Sequence, residues 1–166
     1  HENLFGVLVS HGSSTVPGYI VEEINALGGN IQNAHGISIE ELKAAIPCGI
    51  GKINVDTDIR LAVTRNMKEY FAQHPEKRNS PSIGGVYQLL EEKREQFDPR
   101  AFLPPIMDTV MYGMVPDKDR AELVEVIEKG VKEAIGTLIV EFGSYGKAPL
   151  VEQVSLEEMA ERYKRM

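Results

Sequence analysis

Two short runs, Val7-Leu8-Val9 and Ile50-Gly51-Lys52-Ile53-Asn54-Val55, constrain this chain more than any other feature. Both are rich in β-branched residues, and neither has the strict alternation of a strand with one wet face. They read as buried strands of the parallel type. Each stops abruptly in polar residues: Ser10-His11-Gly12-Ser13-Ser14-Thr15 after the first, and Asn54, Asp56, Thr57 and Asp58 after the second. Helical patterns lie between them, so the order strand, helices, strand, helix predicts neighbouring parallel strands joined by a crossover.

The intervening patterns are clear. Pro17 opens a helix with Ile20, Val21, Ile24 and Leu27 on one face, and Gly28-Gly29 stops it. Ser38-Ile39-Glu40-Glu41 is a capping box that starts a second helix reaching about Ile46, with Pro47 and Gly49 beyond. A third helix is expected from Ile59 to Phe71. His74 to Gly85 reads as a surface loop, and Val86 to Gln96 as helix. Phe97-Asp98-Pro99-Arg100 reads as a turn. The longest pattern runs from Lys118 to Phe142, striped by Leu123, Ile127, Val131, Ile135, Leu138 and Phe142. Gly130 and Gly136 weaken it unless close packing needs them. A second capping box at Ser155 opens a last amphipathic helix to Met166. The opening stretch His1 to Gly6 resembles the remnant of a histidine tag and protease site, with a natural loop as the alternative. Residues 7–166 are expected to form one unit.

Charge and composition narrow the function classes. The 166 residues carry a net charge of −7, which argues against nonspecific nucleic-acid binding and against anionic membrane surfaces. No stretch approaches the roughly 18 apolar residues of a membrane span. Cys48 is the single cysteine, so an intrachain disulfide and a four-cysteine zinc site are excluded. A reducing, cytoplasmic setting is expected. Any metal must be held by His, Asp or Glu, and there are four histidines.

Ligands of parallel α/β folds bind at the carboxyl ends of strands, and in (β/α)8 barrels the loops after the last strands often hold phosphate. Both polar clusters occupy that place. Small residues after the first strand let backbone N–H groups approach an anion, Ser hydroxyls add donors, and His11 suits metal binding or proton transfer. Asp58 has a simpler reading as the cap of the helix from Ile59. Two strands are too few for an open sheet or a barrel. The chain therefore reads as the C-terminal part of a (β/α)8 barrel: its last two strands, their helices and a helical extension.

At these residues a resemblance enters. The stretch Val7 to Pro17 resembles the seventh-strand motif of the class II, zinc-dependent fructose-1,6-bisphosphate aldolases, and Lys52 to Ala62 resembles their eighth. Phe97 to Arg100 and Phe142 to Gly146 are similar to later landmarks, and Val154 to Tyr163 resembles the tail of the Calvin-cycle-type subgroup. The match covers only the second half of a family member.

The resemblance implies a cytoplasmic homo-oligomeric barrel that cleaves fructose 1,6-bisphosphate to dihydroxyacetone phosphate and glyceraldehyde 3-phosphate. It implies zinc polarising the ketone, and a monovalent cation as a candidate accessory ion. His11 matches a zinc ligand. Gly12 and Ser14 match the loop that holds the triose phosphate. Asn54 matches the residue that meets the triose hydroxyls, and Asp56 and Thr57 match further triose-phosphate contacts. Arg100, with Arg60 as a weaker candidate, matches the arginine reaching the second phosphate from a neighbouring subunit. The family's proton-transferring aspartate and its other zinc ligands lie on earlier strands, so the N-terminal half of the barrel is an implied partner. His35 and His74 match no ligand position. Two alternatives stay open: an aldolase for tagatose or sedoheptulose bisphosphate, and a non-catalytic phosphate-binding or assembly module.

Overall fold

The computed structural model describes residues 8–151 and 153–165. The tag-like stretch and Val7 lie outside the described residues, as does Met166. The fold is mostly helical around a two-stranded parallel sheet, β1 (Leu8–Ser10) beside β2 (Ile50–Ile53). Leu8 pairs with Ile50, Val9 with Lys52 and Ser10 with Ile53, with a register irregularity between Leu8 and Val9. Asn54 N–H donates to Ser10 C=O at 3.0 Å, which carries the pairing one residue past the end of β2.

Between the strands run α1 (Gly18–Ala26) and α2 (Ile39–Ala45). The capping box of α2 is present in full, with Ser38 and Glu41 exchanging side chain and backbone bonds. After β2 comes α3 (Thr57–Gln73), then α4 (Gly84–Glu92), α5 (Met107–Tyr112), α6 (Lys118–Glu141) and α7 (Leu156–Lys164). The α3 helix is two residues longer at each end than its apolar pattern suggests. Its first turn is capped by a residue from another loop, and its last extends to the break before Pro75.

The core is organised by α3. One cluster joins its Val63, Met67 and Phe71 to Ile83, Val86 and Leu90 around α4, to Phe102 and Ile106, and to Leu123 of α6. A second joins its Leu61 and Ala62 to Ile20, Ile24 and Ile31. A helix buried on nearly all sides must also satisfy its polar groups. Buried Lys68 donates to the Leu90 carbonyl, an orphan acceptor near the end of α4. Buried Tyr70 donates its hydroxyl to Glu122 at 2.9 Å, and Lys77 bonds Asp119 and Glu122. The Lys77 ammonium, followed by the Tyr70 hydroxyl, pulls the Glu122 carboxyl down to about 2.

Three expectations are corrected. The strands are not buried: Leu8 is 55% and Val9 45% exposed, because no third strand or covering layer lies against them among the described residues. The His74–Gly85 segment is more than a surface loop. It forms a 3-10 turn at Pro75–Asn79 and buries Ile83 completely, since that apolar side chain completes the cluster under α4. The α6 stripe packs through Leu123, Ile127 and Val131 but leaves Ile135 half exposed. The α7 helix buries none of its residues.

Gly130 explains how closely α6 can lie on α3. A Cβ there would stand 2.8 Å from Val63 Cα and 2.9 Å from Val63 N, whereas one at Gly136 would meet nothing. Gly130→Ala is therefore expected to destabilise by about 1–3 kcal/mol through forced displacement. Gly136→Ala is expected to stabilise by up to about 1 kcal/mol through helix propensity. Urea unfolding of both variants checks the contrast; equal and opposite effects of the wrong sign would remove the close-approach argument.

Candidate active site

Both polar clusters emerge at the same end of the β1–β2 pair, as parallel strands require. Their residues do not merely lie near each other; they are bonded across the gap. The Ser14 hydroxyl accepts the backbone N–H groups of Asp56 at 3.2 Å and Thr57 at 3.0 Å. It thereby satisfies donors at the start of α3 that Asp56, the formal cap, leaves alone: the Asp56 side chain makes no capping bond. The hydroxyl keeps its own proton to donate elsewhere. The N-terminus of α3 contributes positive dipole charge at this point.

A second tie runs the other way. Asp58 is 3% exposed. Both its carboxylate oxygens accept the Thr15 N–H, at 3.0 Å each, and one also accepts the Thr15 hydroxyl. Asp58 is thus inside the first turn of α3 and serves the β1 loop, which corrects its reading as a simple cap. The loop is braced from behind as well. Ile37 N–H donates to Ser14 C=O at 3.1 Å, and a Cβ on Gly36 would stand 2.3 Å from Thr15 O. Within this frame Gly12 sits at φ +67° and Val16 at φ +49°. Glycine adopts that region freely. A β-branched valine does so only at a cost of order 1–3 kcal/mol when its surroundings hold it there.

His11 is exposed, and its Nδ1 lies 2.9 Å from the Asn54 side-chain amide. The Asn54 amide N–H donates to Nδ1, which orients the imidazole and leaves Nε2 as the ring nitrogen not engaged by Asn54. His11, Gly12, Ser14, Asn54, Asp56 and Thr57 thus share one strand-end locus. A cavity of about 530 Å³ shares the wall made by Thr15 and Asp58 but includes none of these six residues.

The arginines converge on a residue that the sequence reading passed over. Arg60 Nε donates to Asp56 at 2.9 Å, and its guanidinium also pairs with Asp98. Arg100 donates through Nε to both Asp98 oxygens at 3.0 Å, with its side chain 72% exposed. The Arg100 hydrogen bonds, with the Arg60 charge adding, hold the Asp98 carboxyl below its ordinary range against partial burial. Alternating charges therefore run from Asp56 through Arg60 and Asp98 to Arg100. The sequence signal for Asp98 is its place two residues before Arg100, in a stretch whose local pattern indicates only a turn. His74 lies 3.5 Å from Glu76 and packs at a tilt against Tyr70, and His35 and Cys48 are exposed. These three stand outside the locus.

Residues 1–147 match the family model described as fructose-bisphosphate aldolase class-II. The chain belongs to the class II fructose-bisphosphate aldolase family. Among named relatives, the fructose-bisphosphate aldolase of Xanthobacter flavus is 33% identical over 156 residues, covering 94% of this chain and 33% of the relative. That of Giardia intestinalis is 34% identical over 157 residues, covering 95% and 36%. That of Thermus caldophilus is 40% identical over 103 residues, covering 62% and 28%. The chain therefore spans about a third of the relatives it matches, less than the half expected from its motifs. Among the described residues no group of three or more His, Cys, Asp or Glu could hold a metal, and no helix is long and apolar enough to cross a membrane.

The crossed ties make a stability prediction. Ser14→Ala removes the acceptor for two N–H groups of α3 and is expected to cost about 0.5–2 kcal/mol, the range of a lost helix cap. Asp56→Ala, which removes no capping bond, should cost less. Thermal unfolding of the two variants under identical conditions tests the order, and a larger loss at Asp56 would show that Ser14 is not the cap.

Proposed function

We propose that residues 7–166 form one unit of a class II fructose-bisphosphate aldolase, carrying the last two strands of a (β/α)8 barrel and a helical extension of Calvin-cycle type. The whole enzyme, a cytoplasmic homo-oligomer in this reading, reversibly cleaves fructose 1,6-bisphosphate to dihydroxyacetone phosphate and glyceraldehyde 3-phosphate. The observation that carries the proposal is the bonded pair of strand-end loops, which gathers His11, Gly12, Ser14, Asn54, Asp56 and Thr57. The exposed faces of β1 and β2 support the barrel, since strands of this composition belong under a covering layer.

In this proposal Gly12, Ser14 and Thr57 hold one phosphate with backbone N–H groups, hydroxyls and the α3 dipole. Asp56 is a further contact to the triose phosphate, and Asn54 meets the triose hydroxyls. Donor chemistry makes His11 suitable as one zinc ligand, with Asn54 orienting its ring through Nδ1. The remaining ligands and the proton-transferring group belong to segments matching the other two thirds of the relatives. Zinc, when bound, supplies a Lewis acid that polarises the ketone. Arg100 is the better candidate for the second phosphate. It is exposed and shares one carboxylate, whereas Arg60 is committed to two.

His11→Ala in the whole enzyme is expected to remove stoichiometric zinc and turnover together, since a catalytic zinc site needs all three of its protein ligands. Metal analysis and an aldol-cleavage assay check this. Normal zinc content with normal activity would sink the assignment of His11, and cleavage by the 166-residue chain alone would refute the need for further ligands. Arg100→Ala should raise KM for fructose 1,6-bisphosphate by on the order of ten- to a hundredfold, the loss of a charge-assisted contact. Enolisation of dihydroxyacetone phosphate should change little. Mixing it with His11→Ala subunits tests the direction of the reach: regained activity in hybrids means that the arginine acts across subunits, and inactive hybrids mean that it does not.

A further inference from the structure

We propose that Asp58 is a positioning residue: through Thr15 it fixes the loop after β1 against the N-terminus of α3, so that one phosphate cradle is built before any ligand arrives. This rests on the reading of the locus as a phosphate site. It assigns a function to two residues, Thr15 and Asp58, that the reading itself does not use.

Three observations carry it. The first is commitment. Asp58 is buried, yet among the described residues all its side-chain hydrogen bonds go to Thr15, none to its own helix, and the contact spans 43 positions. A buried carboxylate is retained only where it is well paired, and here the partner is a loop backbone. The second is opposition. Ser14, one residue earlier, accepts from Asp56 and Thr57, so adjacent loop residues bond in opposite senses to the first turn of α3. Two such bonds prevent the loop from pivoting about either one. The third is what remains. Among the described residues the N–H groups of Gly12, Ser13 and Ser14 make no hydrogen bond, while Thr15 N–H is taken by Asp58. The tie thus ends the run of free donors at Thr15; of the three before it Ser13 is fully buried, and those of Gly12 and Ser14, beside His11, remain for an anion. Val16 at φ +49° follows at once, a conformation that the tie on one side and Pro17 on the other hold in place.

The test uses the whole enzyme and three variants, Thr15→Ser, Thr15→Val and Asp58→Asn. The readouts are kcat per bound zinc and KM for fructose 1,6-bisphosphate, and calorimetric Kd for dihydroxyacetone phosphate. Thr15→Val and Asp58→Asn are each expected to raise KM and Kd about tenfold while kcat per zinc stays within about twofold, as for interactions that preorganise binding. Thr15→Ser keeps the hydroxyl and should restore wild-type values. The double variant should be no worse than either single, because the two residues act as a unit. A fall in active fraction with KM unchanged would mean that Asp58 merely supports folding, and additive losses would mean that the pair is not a unit; either result overturns the proposal. Should Asp58→Asn fail to fold, the contrast between Thr15→Val and Thr15→Ser decides alone. An enzyme that cleaves no fructose 1,6-bisphosphate, yet binds dihydroxyacetone phosphate less tightly in Thr15→Val, would discard the substrate reading and keep the positioning role.

Discussion

Parallel strands share no turn, so chain connectivity does not force the loops that follow them to face each other. In this protein that task falls to a few side chain–backbone bonds. Ser14 takes donors from the start of α3, Asp58 takes donors from Thr15, and Gly36 lets a third segment press from behind. Everything assigned to the candidate site stands on that arrangement. His11 and Gly12 come with one loop, Asn54 and Thr57 with the other, and their relative placement is only as definite as the ties.

The ties in turn depend on α3 being immobile. Its sides enter both apolar clusters, and its contact with α6 is close enough that only glycine fits at position 130. The N-terminal end of such a helix is a better foundation for a binding site than a free loop, because its donors keep their direction when a ligand leaves. At the far end, Tyr70, Lys77, Asp119 and Glu122 fasten α3 to the first turns of α6. The polar chemistry at the two ends is thus of different kinds: bonds that hold the site together at one, and bonds that hold the scaffold at the other.

Much of this was legible in the sequence, where the determinants are local. The capping box at Ser38 and the span from Lys118 were readable because caps and periodicity act within a few residues. The polar endings of two β-branched runs, which the structure brings together, were readable for the same reason. Burial of those runs was not legible, since it depends on neighbours that the described residues do not include. Ile83 was hidden among polar residues, whose composition outweighed one apolar side chain. Asp58 and Asp98 were missed for a sharper reason. Each has an adequate local explanation, a cap or a turn, and their partners Thr15 and Arg60 are 43 and 38 positions away. A carboxylate read only against its neighbours in sequence gives no sign of which distant donor it serves.

The chain of alternating charges from Asp56 to Arg100 differs from the α3 end of the site in how solvent reaches it. At α3 the donors are backbone dipoles and a half-buried hydroxyl, acting at contact distance. Arg100 is 72% exposed, and exposed charges are screened within about 8 Å at physiological ionic strength. Added salt would therefore weaken any hold of Arg100 on an anion while leaving the helix end almost untouched. For the proposed aldolase this separates the two ends of the sugar electrically. With Arg100 in its proposed role, a preference for a bisphosphate over a monophosphate would be a property of the medium as well as of the protein, and would narrow as the surroundings become more saline.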